Sequence, residues 1–209
     1  MSRNLALAIV LLIASSFFWS GNFFSGKVAF LTNLTPFKLS FFRWILALLI
    51  LLPFTYKQII KDLDYYRKNI FLMIIISILG VTFFNSFTYI SLRSSMVINS
   101  TLMASIAPVM MIGFSWLLFR TKTTKPQFTG IILSLIGAFS IILKGNLDNL
   151  YNLYFTSGDL WMIAAVISWC LYSVLLKKID SKTSQLANLE VMIIIGIIFI
   201  TPFYIFESI

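Results

Sequence analysis

The chain of 209 residues contains no histidine and a single cysteine, and only 11% of its residues are charged. Without histidine it lacks the commonest general base and the commonest neutral metal ligand. The lone Cys170 excludes an internal disulfide bond. Soluble domains are about a quarter charged. This sequence has too few charges to cover a water-facing surface, so neither a soluble fold nor a histidine-based active site is expected.

Apolar residues instead dominate, at 59% of the chain, with a mean hydropathy of +0.95. A helix needs about 20 apolar residues to cross a bilayer, and seven runs come close to that length: 5–30, 37–56, 70–92, 97–119, 127–143, 160–176 and 186–206. The runs are too long for strands and do not alternate between apolar and polar residues. We therefore predict an all-α polytopic membrane protein with about seven transmembrane helices in a lipid bilayer.

The basic residues are distributed unevenly between the connections. Positive residues are retained on the cytoplasmic side during insertion. With a cytoplasmic amino terminus, that side holds Arg3, Lys57, Lys61, Arg67, Lys68, Arg120, Lys122, Lys125, Lys177, Lys178 and Lys182. The outer connections and helix ends keep Lys27, Lys38, Arg93 and Lys144, and Arg43 lies inside a span. We predict a multi-pass protein of the cytoplasmic (inner) cell membrane with its amino terminus inside. Because the net charge of +9 falls in short clusters, no nucleic-acid partner is expected.

The sixth run repeats features of the first at an offset of 150 residues. Residues 13–14 correspond to 163–164, Trp19 to Trp169, and Lys27 to Lys177. The seventh run continues the likeness weakly, with residues 202–203 matching 53–54. The sixth span comes five spans after the first, with four between them, so the second copy crosses the membrane in the opposite direction. Inverted repeats are typical of secondary carriers that bind substrate between two halves.

Several short motifs have a family likeness. The first helix carries FWSGNF at 18–23, the second FFRW at 41–44, the third YISLRSS at 89–95, and the sixth begins GDL at 158–160. With Ala107-Pro108-Val109, Gly130 and Gly137, the chain resembles the EamA-type branch of the drug/metabolite transporter superfamily. One departure is Arg120-Thr121, where the family often has a glutamate after the fourth helix.

The resemblance implies a ten-helix (5+5) inverted-repeat carrier that transports small metabolites such as amino acids by alternating access, without a cofactor. Residues 1–144 would be the first repeat with five helices, 145–157 an extracytoplasmic connection, and 158–209 an incomplete second repeat with two helices. About three of the family's usual ten helices would then be missing. An inactive remnant, or a protein completed by a homodimer or a partner chain, is the alternative.

Polar residues inside spans are the candidate substrate-binding groups, because they are costly in lipid unless they serve packing or function. On the first helix, Ser15, Trp19, Asn22 and Gly26 share one face, and the equivalent face of the sixth carries Ala165, Trp169, Tyr172 and Leu176. The third and fourth helices add Asn85, Tyr89 and Asn99. Helix packing is the alternative role for the small and amide side chains. Pro108 removes a backbone donor, so we expect a helix kink there.

Arg43 is the most informative single residue because it lies two turns inside its span. A central arginine costs about 2.5–3.5 kcal/mol on insertion scales. The sequence favours snorkelling of Arg43 to the headgroups or binding to backbone carbonyls. The alternative is that Arg43, with Lys27, attracts an anionic or carboxylate-bearing substrate. The seven acidic residues lie in connections or near helix ends, and Glu190 is the only one that could act within a span.

Two other classes of membrane protein fit the sequence less well. An intramembrane enzyme needs a nucleophile with a base, or a metal site, and the sequence offers no convincing set for either. A seven-helix retinal protein needs a lysine in its last helix, and residues 186–206 contain none. We therefore predict a transporter and not an enzyme, with no metal site.

Overall fold

The computed structural model describes residues 3–29, 32, 34–122, 124–142, 156–180 and 182–209. Throughout these ranges the chain is helical with short connections, and none of them forms a strand. The predicted all-α fold is therefore confirmed. The predicted connection 145–157 falls outside the described residues except for its last two positions, as does Lys144.

In the described ranges, ten α-helices follow one another, with a π-helix within the third span and a 3₁₀ turn directly after the ninth of them. The π-helix is Ile78–Phe83 and the 3₁₀ turn is Leu176–Lys178. The α-helices are α1 Arg3–Ala29, α2 Pro36–Lys61, α3 Leu63–Lys68, α4 Ile70–Ser77, α5 Phe84–Ser94, α6 Val97–Ser105, α7 Ala107–Phe119, α8 Lys125–Ile142, α9 Ser157–Leu175 and α10 Gln185–Phe206.

Six helical segments in the described ranges are long and apolar enough to cross a membrane: Leu5–Ala29, Pro36–Lys61, Ile70–Ser94, Val97–Phe119, Ser157–Lys178 and Gln185–Phe206. They coincide with six of the seven predicted spans. The fifth predicted span, 127–143, falls on α8, which has 18 residues and begins with polar Lys125 and Gln127. The chain is thus a multi-pass membrane protein.

The third span is the centre of the bundle and contributes to two cores. Its first part, with Met73, Ile76 and Val81, packs against Ile193 and Ile200 of α10. Its second part, α5, belongs to a core with α6 and α9 that includes Phe84, Leu102, Met103, Met162 and Cys170. By contrast α1 is largely exposed along its length; Phe17 and Phe18 are each 75% exposed. Apolar faces of this kind suit contact with lipid or with further helices.

The fourth span is interrupted just before Pro108. The α6 helix ends at Ser105, Ile106 is a turn, and α7 starts at Ala107 with the proline in its first turn. Proline has no amide hydrogen to donate to residue 104. The amide of Val109 donates instead to the Ile106 carbonyl, at 3.1 Å. The helix therefore restarts as a new segment whose opening turn tolerates proline.

The end of α5 and the start of α9 meet closely through Gly158 and Asp159. A Cβ atom at Gly158 would lie 2.5 Å from the carbonyl oxygen of Ser91, so only glycine fits this contact. Asp159 accepts hydrogen bonds from the backbone amide of Thr156, at 2.6 Å, and from the hydroxyl of Ser95. The GDL and YISLRSS motifs thus meet at one helix junction.

The helices run between two distinct ends of the bundle. At one end, here called the basic end, Tyr65 Oη accepts from the amide of Asp180 and Lys178 lies over the ring of Phe119. At the opposite end Lys27 of α1 reaches Ser95, close to the start of α9. Helices α1 and α9 therefore run antiparallel, as do α2 and α10, whose Phe37 and Phe203 rings stack 4.9 Å apart.

Candidate functional site

Three helices meet at the guanidinium group of Arg43. Its Nη1 atom donates to Asn22 Oδ1 on α1 at 2.8 Å, to Asn85 Oδ1 on α5 at 2.7 Å and to Tyr89 Oη at 2.6 Å. Tyr89 Oη in turn donates to Asn22 Oδ1 at 2.7 Å. Four candidates that are far apart in sequence thus form one connected network, here called the Arg43 cluster.

The Arg43 cluster holds the arginine without neutralising it. Its three acceptors are uncharged oxygens, and no carboxylate among the described residues pairs with Arg43. All three hydrogen bonds leave from Nη1; Nη2 and Nε make none within the described part of the chain. Arg43 is also exposed on one side. The open edge of a guanidinium offers two parallel donors, which suit a carboxylate or a phosphate.

The π-helix 78–83 accepts hydrogen bonds from Asn85 and from Trp44, the neighbour of Arg43, and so holds one side of the Arg43 cluster in place. π-Helices leave carbonyls without their usual partner and are frequent at functional sites. Here Asn85 Nδ2 donates to the Gly80 carbonyl at 3.3 Å, and Trp44 Nε1 donates to the Val81 carbonyl at 3.2 Å. Side chains therefore satisfy the backbone groups that the bilayer cannot. Trp44 also lies beside the guanidinium of Arg43, 5.3 Å from its ring centre.

An aromatic cluster lies along the faces of α1 and α9. The rings of Trp19 and Trp169 are 5.4 Å apart, and Trp169 lies 5.2 Å from Tyr172. Phe84 of α5 contacts both tryptophans, at 6.1 and 4.6 Å. Tyr172 packs against Gly80, where a Cβ atom would come within 2.4 Å of its ring. The aromatic cluster thus adjoins the Arg43 cluster through two neighbouring residues, Phe84 and Asn85.

Lys27 does not join Arg43 but binds backbone carbonyls at the end of α5. Its Nζ donates to the carbonyl of Leu92 at 2.8 Å and to that of Ser95 at 3.3 Å. A cation at a helix C-terminus is stabilised by the helix dipole. Lys27 therefore ties α1 to the third span in this arrangement.

A large cavity opens beside α1, between this helix and the fourth span. Its volume is about 1180 Å³, and Trp19, Lys27, Thr101 and Ser105 are among its lining residues. None of the four Arg43 cluster residues lines it. Asn99 is buried on α6, and Pro108 lies beyond the break at Ile106. Trp19 is the residue shared by the cavity and the aromatic cluster.

Sequence reasoning missed Phe84, Trp44 and the π-helix. Trp44 had a usable signal, because it follows Arg43 in the FFRW motif. Phe84 is one of the 21 phenylalanines of the chain and carries no signal of its own. Nothing in the composition of 78–83 separates a π-helix from an α-helix.

The chain matches the EamA-like transporter family over residues 6–143. It belongs to the EamA-like transporter family. The likeness to the EamA-type branch of the drug/metabolite transporter superfamily is thereby confirmed, and this family is one of transporters rather than of enzymes. A comparison with solved structures finds no match.

Relatives of this EamA-like chain are named as uncharacterized transporters. It is 25% identical over 142 residues to the uncharacterized transporter YyaM of Bacillus subtilis, covering 68% of this chain and 47% of the relative. It is 27% identical over 205 residues to an uncharacterized transporter of Archaeoglobus fulgidus, covering 96% of this chain and 66% of the relative. The uncharacterized transporter YetK of Bacillus subtilis is 28% identical over 144 residues, covering 68% of this chain and 43% of the relative. The chain thus spans about half to two thirds of the length of these relatives.

Proposed function

We propose that the chain carries small carboxylate-bearing metabolites, such as amino acids, across the cytoplasmic membrane by alternating access. The Arg43 cluster is the single observation that carries this proposal. It presents an uncompensated cation, with two free donor positions, inside a membrane protein of a transporter family. A substrate carboxylate supplies the missing negative charge and a planar pair of acceptors.

The aromatic cluster supports a small organic substrate rather than an inorganic ion. The ring of Trp169 lies 5.4 Å from that of Trp19 and 5.2 Å from that of Tyr172, next to the residues that hold Arg43. Binding sites for small molecules are mostly apolar, with a few placed polar groups that fix orientation. A carboxylate on Arg43 therefore leaves the rest of the substrate against aromatic rings.

The packing of repeat-related helices supports alternating access. The helices matched by the 150-residue offset, α1 and α9, run antiparallel and touch through Trp19 and Trp169, the matched tryptophans. The next pair, α2 and α10, also packs antiparallel through aromatic rings. Inverted repeats that face each other across a central site are the basis of rocking carriers. We propose that the pseudo-two-fold axis that relates the two repeats passes between Trp19 and Trp169.

The test is transport of matched substrates by Arg43→Gln in proteoliposomes. A carboxylate substrate is compared with its uncharged amide. Hydrogen bonds to a charged group contribute about 1.5–3 kcal/mol, so affinity for the carboxylate should fall by roughly 10- to 150-fold. Affinity for the amide should change little. Arg43→Lys should recover part of the loss, since lysine keeps the charge but not the two-pronged geometry.

Arg67→Gln is the matched control, because Arg67 is an exposed arginine on α3, outside the spans. It should transport both substrates as the unmodified protein does. Equal loss of the carboxylate and the amide in Arg43→Gln would show that Arg43 holds the fold rather than the substrate. That result would reject the carboxylate proposal.

The proposed orientation, with a cytoplasmic amino terminus, has its own test. The only cysteine, Cys170, is buried, so background labelling is low. Lys61→Cys should react with a membrane-impermeant thiol reagent only when the reagent is given access to the cytoplasmic side of the membrane. Lys38→Cys should react when the reagent is added to intact cells from outside. The reverse pattern would invert the topology. A homodimer or partner chain stays a prediction, to be tested by the mass of the complex extracted from its native membrane.

A further inference from the structure

A second polar cavity lies at the basic end of the bundle, between α7, α8 and α9. Its volume is about 660 Å³. Lys122 and Lys177 line it, and none of its described lining residues is acidic. It shares no residue with the Arg43 cluster or with the cavity beside α1.

The polar part of this cavity is a hydrogen-bonded chain of one ammonium group and two hydroxyls. Lys177 Nζ donates to Ser115 Oγ at 3.3 Å, and Ser115 Oγ is hydrogen-bonded to Thr121 Oγ1 at 2.7 Å. Arg120 has a left-handed backbone with φ of 55°, an uncommon conformation for a residue other than glycine. The left-handed turn ends α7 and brings Thr121 back towards Ser115. The hydroxyls and ammonium group therefore converge at one place.

The start of α8 adds to the positive potential there. Its first residues, Lys125–Gln127, follow Lys122, and Gln127 lines the cavity. The first backbone amides of a helix carry a partial positive charge and bind anions. The site therefore combines two lysines, two hydroxyls and the start of a helix. Its charge is positive, and none of its described lining residues carries a negative charge.

The deeper wall of the same cavity is apolar. Pro108 and Met111 of α7 lie there, opposite Ile131 of α8. Ser115 is one turn along α7 from Met111, so the polar and apolar parts follow each other along the helix axis. A soluble anion needs only the polar part, whereas a phospholipid fills both. Basic pockets between transmembrane helices near the membrane surface bind lipid headgroups.

We propose that this cavity, with Lys122, Lys177, Ser115 and Thr121, binds the phosphate group of an anionic phospholipid. The acyl chains lie along the apolar wall formed by Pro108 and Met111. A bound lipid would join α7 to α9, and so the fourth span to the C-terminal end of the helix that the repeat matches with α1.

The test measures lipid retention by native mass spectrometry of the full chain in detergent. Phosphatidylglycerol is compared with phosphatidylcholine of the same acyl chains. Phosphatidylglycerol should bind more tightly, and Lys122→Gln and Lys177→Gln should each weaken it about fivefold, or about 25-fold together. Lys57→Gln is the matched control, because Lys57 is exposed on α2 and does not line the cavity. It should bind as the unmodified protein does.

Two further measurements separate loss of charge from loss of folding, and a lipid from a soluble anion. Lys177→Arg retains the charge and should retain phosphatidylglycerol, which separates loss of charge from loss of folding. Inorganic phosphate is added as a competitor. Displacement of the lipid by phosphate at a similar affinity would show that the occupant is a soluble anion and overturn the lipid assignment. Equal binding of both lipids, or a double variant that behaves like Lys57→Gln, would overturn the site itself.

Discussion

Asp159 should be the carboxylate on which the junction between α5 and α9 depends most. It is 1% exposed and accepts hydrogen bonds from the Thr156 amide at 2.6 Å, from the Thr156 hydroxyl at 3.2 Å and from the Ser95 hydroxyl. The first two stabilise the start of α9. The third joins that helix to the end of the third span. Asp159→Ala removes all three at once.

The expected cost follows from these contacts. Loss of the helix-capping interaction costs about 0.5–2 kcal/mol. A hydrogen bond between a hydroxyl and a charged group contributes about 1.5–3 kcal/mol. Removing a buried charge returns part of its desolvation energy, so the two losses do not add fully. We expect the free energy of unfolding to fall by about 2–4 kcal/mol.

Reversible unfolding in detergent micelles measures this change. Asp64→Ala is the control, since Asp64 is an exposed carboxylate on α3 and should change stability by no more than about 0.5 kcal/mol. Ser95→Ala and the double variant complete a cycle. Residues in contact show coupling energies of about 0.5–3 kcal/mol, and a coupling in this range is expected here.

A different outcome would refute the reasoning directly. If Asp159→Ala is no less stable than Asp64→Ala, the junction does not depend on this carboxylate. If the single changes at positions 95 and 159 simply add, then Ser95 and Asp159 act independently, and the close contact between the two motifs has no energetic role.

Three further outcomes are expected. Burial, together with the neighbouring Asp62, raises the pKa of Tyr66 from 10.0 to about 12. The folded state therefore holds the phenol proton more tightly than the unfolded state does. The stabilisation that this proton gives, measured as melting temperature, should be complete below pH 10 and lost towards pH 12. Tyr66→Phe should remove that pH-dependent part, seen as a difference between the two melting curves. Gly80→Ala forces a Cβ atom against the ring of Tyr172 and should cost about 1–3 kcal/mol of stability, with Tyr172→Leu relieving it in the double variant. Glu190→Met should raise the melting temperature, because both carboxyl oxygens of Glu190 are buried with no hydrogen-bond partner in the described ranges; a fall would reveal a partner.

The transmembrane spans could be predicted from the sequence because the thickness of the bilayer decides their length. The bilayer sets a minimum apolar length, and six of the seven predicted runs begin and end within a few residues of helices that satisfy it. The interruption before Pro108 has an equally local cause, since one missing amide hydrogen frees one carbonyl. The lost bond would have joined residue 108 to the carbonyl of residue 104, and the break at Ile106 lies between these two residues.

The partners of Arg43 could be shortlisted but not assigned from the sequence. Asn22, Asn85 and Tyr89 stand out because polar groups are costly in lipid, yet lipid cost says nothing about which groups meet. Their meeting depends on the rotation of α1 against α5, and the π-helix 78–83 changes that rotation for every residue after it. Lys27 shows the same limit: its charge suggested an anion site, but the sequence did not reveal that it also donates to two carbonyl oxygens at the end of α5.

The choice of partners around Arg43 bears on what the cluster is for. A carboxylate would cancel the charge of an arginine as well as accept hydrogen bonds from it. The cluster uses two amide oxygens and a phenol instead. These groups fix the orientation of the guanidinium while leaving its full charge and its second edge unused. An oriented but unneutralised cation favours an anion that comes and goes, which is the property a carrier of carboxylates requires.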